Sequence, residues 1–271
     1  MAALSLSAAA IAYLNAKHGI AYDFNTAQAW ITSSATVRRA VKSDTVNVFY
    51  TFEDHATNPK TANRTFLIFE GKRWTYSEAY ENVLKYGTWL KQTKHVEKGD
   101  VIAMDFQNNA LFIWIWLGLW SIGAKPAFIN YNLVEKPLIH SVKASGARLL
   151  LVDSIVKANF TDDIVASLKN DDPEQHAEKP FEIVHFNPEI EKEILEIETK
   201  RAPNEERGGE EPHHTAMLVF TSGTTGMPKP AIVSWQKCRF GGNFLQRWIG
   251  FKGDDIMYTV SDTFYQVVKS S

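Results

Sequence analysis

An α/β fold built on a largely parallel sheet is what this sequence predicts, and two features predict it. From Val46 to Ile155, short β-prone apolar runs alternate with stretches of helical spacing, the pattern of strand–helix–strand units. Farther along, an apolar run (Ala216 to Phe220) stops at a hydroxyl- and glycine-rich loop, and a second apolar run (Ala231 to Val233) follows. Composition agrees with a folded chain. Of 271 residues, 45% are hydrophobic and 22% charged, near globular averages, and the length suffices for a substantial core.

The elements follow in order. Residues 1–45 read as a helical N-terminal extension. Within it Leu4 to Leu14 is apolar but interrupted by serines, and falls short of the ~20 residues a spanning helix needs. It suits an interfacial membrane anchor, since neither a basic leader nor a clear cleavage site marks a secretory signal. Residues 46–187 form an α/β subdomain. In it, Phe66–Phe69 and Lys72–Thr75 make a hairpin closed by Glu70-Gly71, and Tyr76–Thr93 is a helix with Thr75 and Glu78 as its capping box. Val101–Phe106 is a strand, Ala110–Ile122 a helix, Pro126–Ile129 a strand, Lys136–Ser145 a helix and Arg148–Val152 a buried strand. The Ala110–Ile122 stretch carries Trp114, Trp116 and Trp120. It reads as a buried helix stopped by Gly123 rather than a membrane span, with exposed tryptophans left open as a lipid contact. Residues 156–185 hold a helix and a short strand, Glu182–His185. Residues 188–213 are a charged linker, helical at first and then mobile, dividing the first subdomain from the loop-bearing hairpin of residues 214–260.

Charge and cysteine usage exclude some function classes. A net charge of −2 leaves no basic footprint for nucleic acid. The single cysteine, Cys238, rules out an intramolecular disulfide and is read as structural rather than nucleophilic. His213-His214 lacks metal-ligand spacing and reads as a loop pair, so no metal site is assigned.

The loop carries the chemistry. Thr221, Ser222, Thr224 and Thr225 offer hydroxyl donors, and Gly223 and Gly226 let the backbone approach an anion closely. Lys229 adds a cation behind the stiff Pro228. Oriented N–H groups, hydroxyls and one positive charge between two strands suit the phosphates of ATP. This is not a Walker-type loop, which needs adjacent Gly-Lys and then Ser or Thr; here Pro228 precedes Lys229 and Pro230 follows.

The string Thr221 to Lys229 resembles the phosphate loop of the AMP-forming acyl/aryl ligase superfamily, the adenylating enzymes. Gly71-Lys72-Arg73-Trp74-Thr75-Tyr76-Ser77-Glu78 and Lys98-Gly99-Asp100-Val101-Ile102-Ala103 resemble two further motifs of that superfamily. Ile129-Asn130-Tyr131-Asn132-Leu133 with Pro137-Leu138-Ile139-His140-Ser141 is similar to its fatty acid transport protein branch, the very-long-chain acyl-CoA synthetases. Ala12-Tyr13-Leu14-Asn15-Ala16-Lys17 looks like the fungal members. The resemblance implies the N-terminal portion of the adenylate-forming ligase fold, layered sheets flanked by helices. It also implies a two-step reaction. A long- or very-long-chain fatty acid attacks the α-phosphate of ATP with Mg2+ assistance, and coenzyme A then displaces AMP. Thr221 to Gly226 and Lys229 would grip phosphate, no catalytic residue is assigned, and the setting would be a membrane surface facing the cytosol.

Two departures stand beside the resemblance. Trp235 occupies the place of a histidine common just after the loop. Gly253 to Val260 follows the family, but Ser261 to Ser271 diverges, and the later family motifs for Mg2+, ribose and the adenylation lysine do not appear. The expectation is a truncated fragment with apolar faces and open strand edges, hence poorly soluble. The alternatives kept open are a non-enzymatic paralogue acting at a lipid surface and another adenylating enzyme, of coumarate or medium-chain type.

Overall fold

The computed structural model describes residues 10, 12–169, 180–221, 227–253 and 255–258. Its centre is a six-stranded sheet. The strands are β3 (Val101–Asp105), β4 (Lys125–Ile129), β5 (Leu149–Val152), β6 (Glu182–His185), β7 (Thr215–Thr221) and β8 (Lys229–Ser234), in the order β6-β5-β3-β4-β7-β8. Every neighbouring pair is parallel except β7 with β8. The inner strands are buried on both faces, which is why Leu149-Leu150-Leu151-Val152 reads as a continuous apolar run rather than an alternation.

Helices cover both faces. On one side pack α2 (Phe49–Thr57), α3 (Tyr76–Gln92), α4 (Ala110–Ser121) and α7 (Pro188–Glu196), sharing a core with Ile102, Met104, Phe128, Leu151 and Val219. On the other lie α5 (Glu135–Ala144) and α6 (Asp162–Lys169), against Ala103, Ile129, Leu150, Val152 and Phe220. A separate hairpin, β1 (Thr65–Phe69) with β2 (Lys72–Thr75), turns through Glu70 and Gly71, both at positive φ. The capping box forms as expected: Glu78 N–H donates to Thr75 Oγ1 at 3.2 Å, and Thr75 N–H donates to Glu78 Oε2 at 2.8 Å.

Three expectations need correction. Trp114 and Trp120 are buried and Trp116 is half-buried, so α4 presents no exposed tryptophan to lipid; Trp120 spends its indole N–H on the Ala216 carbonyl at 2.9 Å. The buried-helix reading of Ala110–Ile122 itself holds, and among the described residues no helix is long and apolar enough to cross a membrane. The segment after α7, expected to be solvated and mobile, is anchored instead. Arg207 is fully buried between the rings of Phe49 and Tyr50, and Glu53 accepts hydrogen bonds from Arg207 at 2.6 Å and from Arg201 at 2.9 Å. Charges that look like a solvated run in the sequence are therefore consumed by a carboxylate 148 and 154 residues away. β7, beyond that segment, pairs with β4, so one sheet runs on both sides of it.

The N-terminal helix α1 (Ile20–Lys42) lies along α9 (Trp235–Ile249), with Trp30 edge-on to Phe240 and Tyr22 edge-on to Trp248. α8 (Asn204–Arg207) is a single turn in the anchored segment. The interfacial anchor expected at Leu4–Leu14 falls largely outside the described residues, as does the divergent tail at 261–271.

Candidate functional site

The β7–β8 hairpin supplies the frame for the candidate site. Both strands form because β-branched and aromatic residues flank the loop, and the ladder pairs Val219 with Ala231, Phe220 with Pro230 and Thr221 with Lys229. Thr221 and Lys229 therefore face each other at the mouth of the loop, with Thr221 Oγ1 at 3.5 Å from the Lys229 carbonyl. Ser222, Gly223, Thr224, Thr225 and Gly226 lie outside the described residues. Of the expected phosphate-binding set, the structure thus brings Thr221 and Lys229 together and places Lys229 in solvent. The 20 residues Thr215 to Ser234 contain neither Asp nor Glu, so nothing in the hairpin opposes an incoming polyanion.

This mouth opens at the carboxyl edge of the parallel sheet. β3 is followed by α4 on one face, and β4 by α5 on the other, so the chain reverses direction across the sheet between these two strands. Open α/β sheets bind ligands outside such a switch point. Four polar residues end or follow the strands and turns along this edge. Asp105 ends β3, fully buried and with no hydrogen-bond partner for either carboxylate oxygen. Burial, reinforced by the charge of Asp153, pushes its pKa up to about 7. Asp153 follows β5 and is held by Asn109 Nδ2 at 2.8 Å and by the Ile155 N–H at 3.2 Å. Asn109 also caps α4, accepting from the Phe112 N–H at 2.8 Å. Asn130 closes the turn after β4, its Oδ1 accepting from the Asn132 N–H at 3.0 Å.

Behind the hairpin, Trp235 replaces the expected histidine as a packing element. It is buried, lies 5.0 Å from the Trp120 ring, and donates its indole N–H to Glu210 Oε2 at 2.9 Å. Cys238 is half-buried on α9, and burial pushes its thiol pKa up to about 12, which favours the protonated thiol near neutrality. Among the described residues, Glu211, His213 and His214 bring one possible ligand atom each within 4.8 Å of one another at the surface, and His214 Nδ1 also lies 3.2 Å from Glu210 Oε2 and 3.1 Å from the Glu211 amide nitrogen.

Sequence reasoning assigned no role to Asp105 or to His140. A charged residue ending an apolar strand, directly before Gln107-Asn108-Asn109, was the available signal for the first. His140 was visible only as part of a motif. It makes a 3.1 Å hydrogen bond to the Pro228 carbonyl, a contact across 88 residues that no local pattern reveals.

Residues 52–267 match the model of the AMP-binding enzyme family. The very long-chain fatty acid transport protein of Cochliobolus heterostrophus is 28% identical over 97% of this chain and 40% of its own length. The protein of the same name from Saccharomyces cerevisiae is 32% identical over 73% of the chain and 29% of its own length. The chain thus spans less than half the length of these relatives. Among solved structures, o-succinylbenzoate CoA synthetase of Bacillus subtilis bound to its acyl-adenylate intermediate superposes with a TM-score of 0.59 at 21% identity, covering 75% of this chain and 37% of that one. The N-terminal subdomain of Klebsiella oxytoca NpsA with 3-hydroxybenzoyl-AMSN gives 0.52 at 23% identity, covering 72% and 42%. At these identities the likeness shows the fold, that of the N-terminal part of adenylate-forming ligases. The matched model covers most of the sequence, and the chain belongs to the AMP-binding enzyme family, with very-long-chain fatty acid transport proteins among its relatives.

Proposed function

We propose that this chain contributes the ATP-phosphate-binding part of an AMP-forming long- or very-long-chain fatty acid–coenzyme A ligase. The observation that carries the reading is the acid-free hairpin whose ladder sets Thr221 opposite Lys229 at the carboxyl edge of the sheet. In the proposed reaction the fatty carboxylate attacks the α-phosphate, pyrophosphate leaves, and the coenzyme A thiol then displaces AMP. Such nucleotidyl transfer depends on positioning and charge neutralisation more than on covalent chemistry by the protein. Thr221, Ser222, Gly223, Thr224, Thr225, Gly226 and Lys229 would hold the β- and γ-phosphates and leave the α-phosphate open. With only hydroxyls, amides and a cation to offer, the hairpin suits phosphate oxygens rather than a bare divalent ion. Mg2+ would enter with the nucleotide and neutralise its charge. Activation of a long acyl chain further places the protein at a cytosol-facing membrane surface in this reading.

The test is fatty-acid-dependent ATP–pyrophosphate exchange, measured for this chain and for one extended to the length of its relatives, with fluorescent ATP binding alongside. Exchange by the longer protein, and nucleotide binding weakened about tenfold or more by Lys229→Ala with Gly223→Val, is the expected result; a lost charge-assisted hydrogen bond alone is worth about 1.5–3 kcal/mol. Nucleotide binding unaffected by those changes would overturn the assignment.

A further inference from the structure

The stretch from Asn130 to Ser141 resembles one branch of the family in sequence, and the proposed phosphate binding gives it no role. Its geometry supplies one. Asn130 closes a turn in which its carbonyl accepts the Leu133 N–H at 2.9 Å and its Oδ1 accepts from Asn132. The turn delivers the chain to α5, entered through Glu135 at φ 50. Leu138 and Val142 sink into the core beneath the sheet, which fixes the helix and its rotation. His140 then projects from the opposite side of α5 and meets the exit of the Gly/Thr loop, 3.1 Å from the Pro228 carbonyl. A carbonyl only accepts, so Nε2 carries the proton.

The exit needs such a partner. Pro228-Lys229-Pro230 has one amide N–H in three residues, and Pro230, opposite Phe220, cannot return a ladder bond. Among the described hairpin residues, the stretch around Lys229 is therefore short of backbone donors. Pro228 is buried whereas His140 is exposed, and the bond between them is half-buried.

We propose that His140 is a positioning residue for nucleotide binding: its Nε2–H tethers the Pro228 carbonyl and so holds Lys229 at the mouth of the phosphate loop. The assignment rests on the phosphate-binding reading of that loop. It gives the Asn130–Ser141 motif the task of presenting this donor.

Two measurements on the native chain, His140→Ala and His140→Gln decide it. First, fluorescent ATP binding is expected to weaken about three- to tenfold in the alanine variant, the range of one net hydrogen bond. The thermal midpoint should stay within about 2 °C of native, and glutamine, whose amide nitrogen can replace Nε2, should restore affinity to within about twofold. Unchanged affinity in the alanine variant, or no rescue by glutamine, would overturn the tether. Second, hydrogen exchange without nucleotide is expected to quicken at the Lys229 and Ala231 amides in the alanine variant alone, with α3 unaffected. If the native chain ignores ATP, the phosphate reading fails by itself. Exchange at Lys229 still judges the tether, and rates identical to native would refute it.

Discussion

Asp105 shows how one residue can set the pH response of the fold. Its carboxyl is enclosed without a hydrogen bond, and burial together with Asp153 raises its pKa to about 7 from 3.8. An unfolded chain releases this proton near pH 4, whereas the folded chain keeps it until about pH 7. Between those values the unfolded state binds fewer protons, so stability falls as pH rises and levels off above pH 7. The full difference is of the order of 4 kcal/mol at about 1.36 kcal/mol per pH unit. Glu53 acts in the opposite sense. Burial alone would raise its pKa, but hydrogen bonds from Arg201, Tyr80 and Arg207 outweigh burial and hold the carboxyl below its usual range. Its contribution is lost as pH falls through that lowered value. Denaturant unfolding of native chain and Asp105→Asn from pH 4 to pH 8 checks this. The variant should gain relative to native as pH rises, and a constant difference would show that Asp105 is solvated or partnered in solution.

Among the elements, Gly123 decides how the segment after α7 is held. It follows α4 at φ 77, and a Cβ there would lie 2.2 Å from the Glu206 carbonyl oxygen. That carbonyl belongs to α8, the turn that carries Arg207 to Glu53. Lys98 Nζ reinforces the contact by donating to the Glu205 and Gly208 carbonyls, and the Gly209 N–H donates to Asp44 Oδ1. Gly123→Ala should therefore strain the backbone and displace α8 together, at a cost of about 1–3 kcal/mol. The readout is limited trypsin digestion, with cleavage after Arg201 or Arg207 expected to accelerate in the variant before global unfolding. Cleavage at the native rate would mean that α8 is not seated on Gly123.

The same elements show what the sequence could and could not disclose. The Thr75–Glu78 capping box, the Glu70-Gly71 turn and the strands from Val101 to Val152 are local patterns, and each was legible. Gly123 was legible as a helix stop, but the carbonyl pressing on it was not. Neither was the Glu53–Arg201–Arg207 cluster, since pairing across some 150 residues leaves no local signature. α9 went unread because Gly241 and Gly242 interrupt its helical pattern; its Ser234 cap, its stacked Phe240 and Phe244, and its packing on α1 outweigh them. At the candidate site, residue types and order were legible, whereas the facing of Thr221 and Lys229 and the tether from His140 depend on strand register and on α5.

Among the described residues, exposed large apolar side chains gather on α1 and α9, with others scattered at Ile68, Val134, Ile155 and Leu195. α1 and α9 expose Tyr22, Phe24, Trp30, Ile31, Trp248 and Ile249, and the edge strand β8 exposes Ile232. Trp30, Val37, Val41 and Phe240 line a cleft between these helices together with the exposed Arg38, Lys42 and Lys237. Aromatic residues beside cations match the interfacial zone of an anionic bilayer, where rings sit at headgroup depth and basic side chains meet lipid phosphate. The membrane-surface setting proposed for the ligase would then reside on this face, since α4 buries its tryptophans. In flotation with vesicles of phosphatidylcholine and phosphatidylserine, the chain should rise with the lipid, less so without phosphatidylserine and less at high salt, where screening shortens the reach of the basic side chains. Trp30→Glu with Trp248→Glu should abolish flotation, whereas the same change at Trp114 should instead unfold the chain because that ring is buried. Concentration-dependent self-association in the absence of lipid, relieved by the Trp30 and Trp248 changes and accompanied by no flotation, would assign the face to a second protein surface and remove the support for membrane docking.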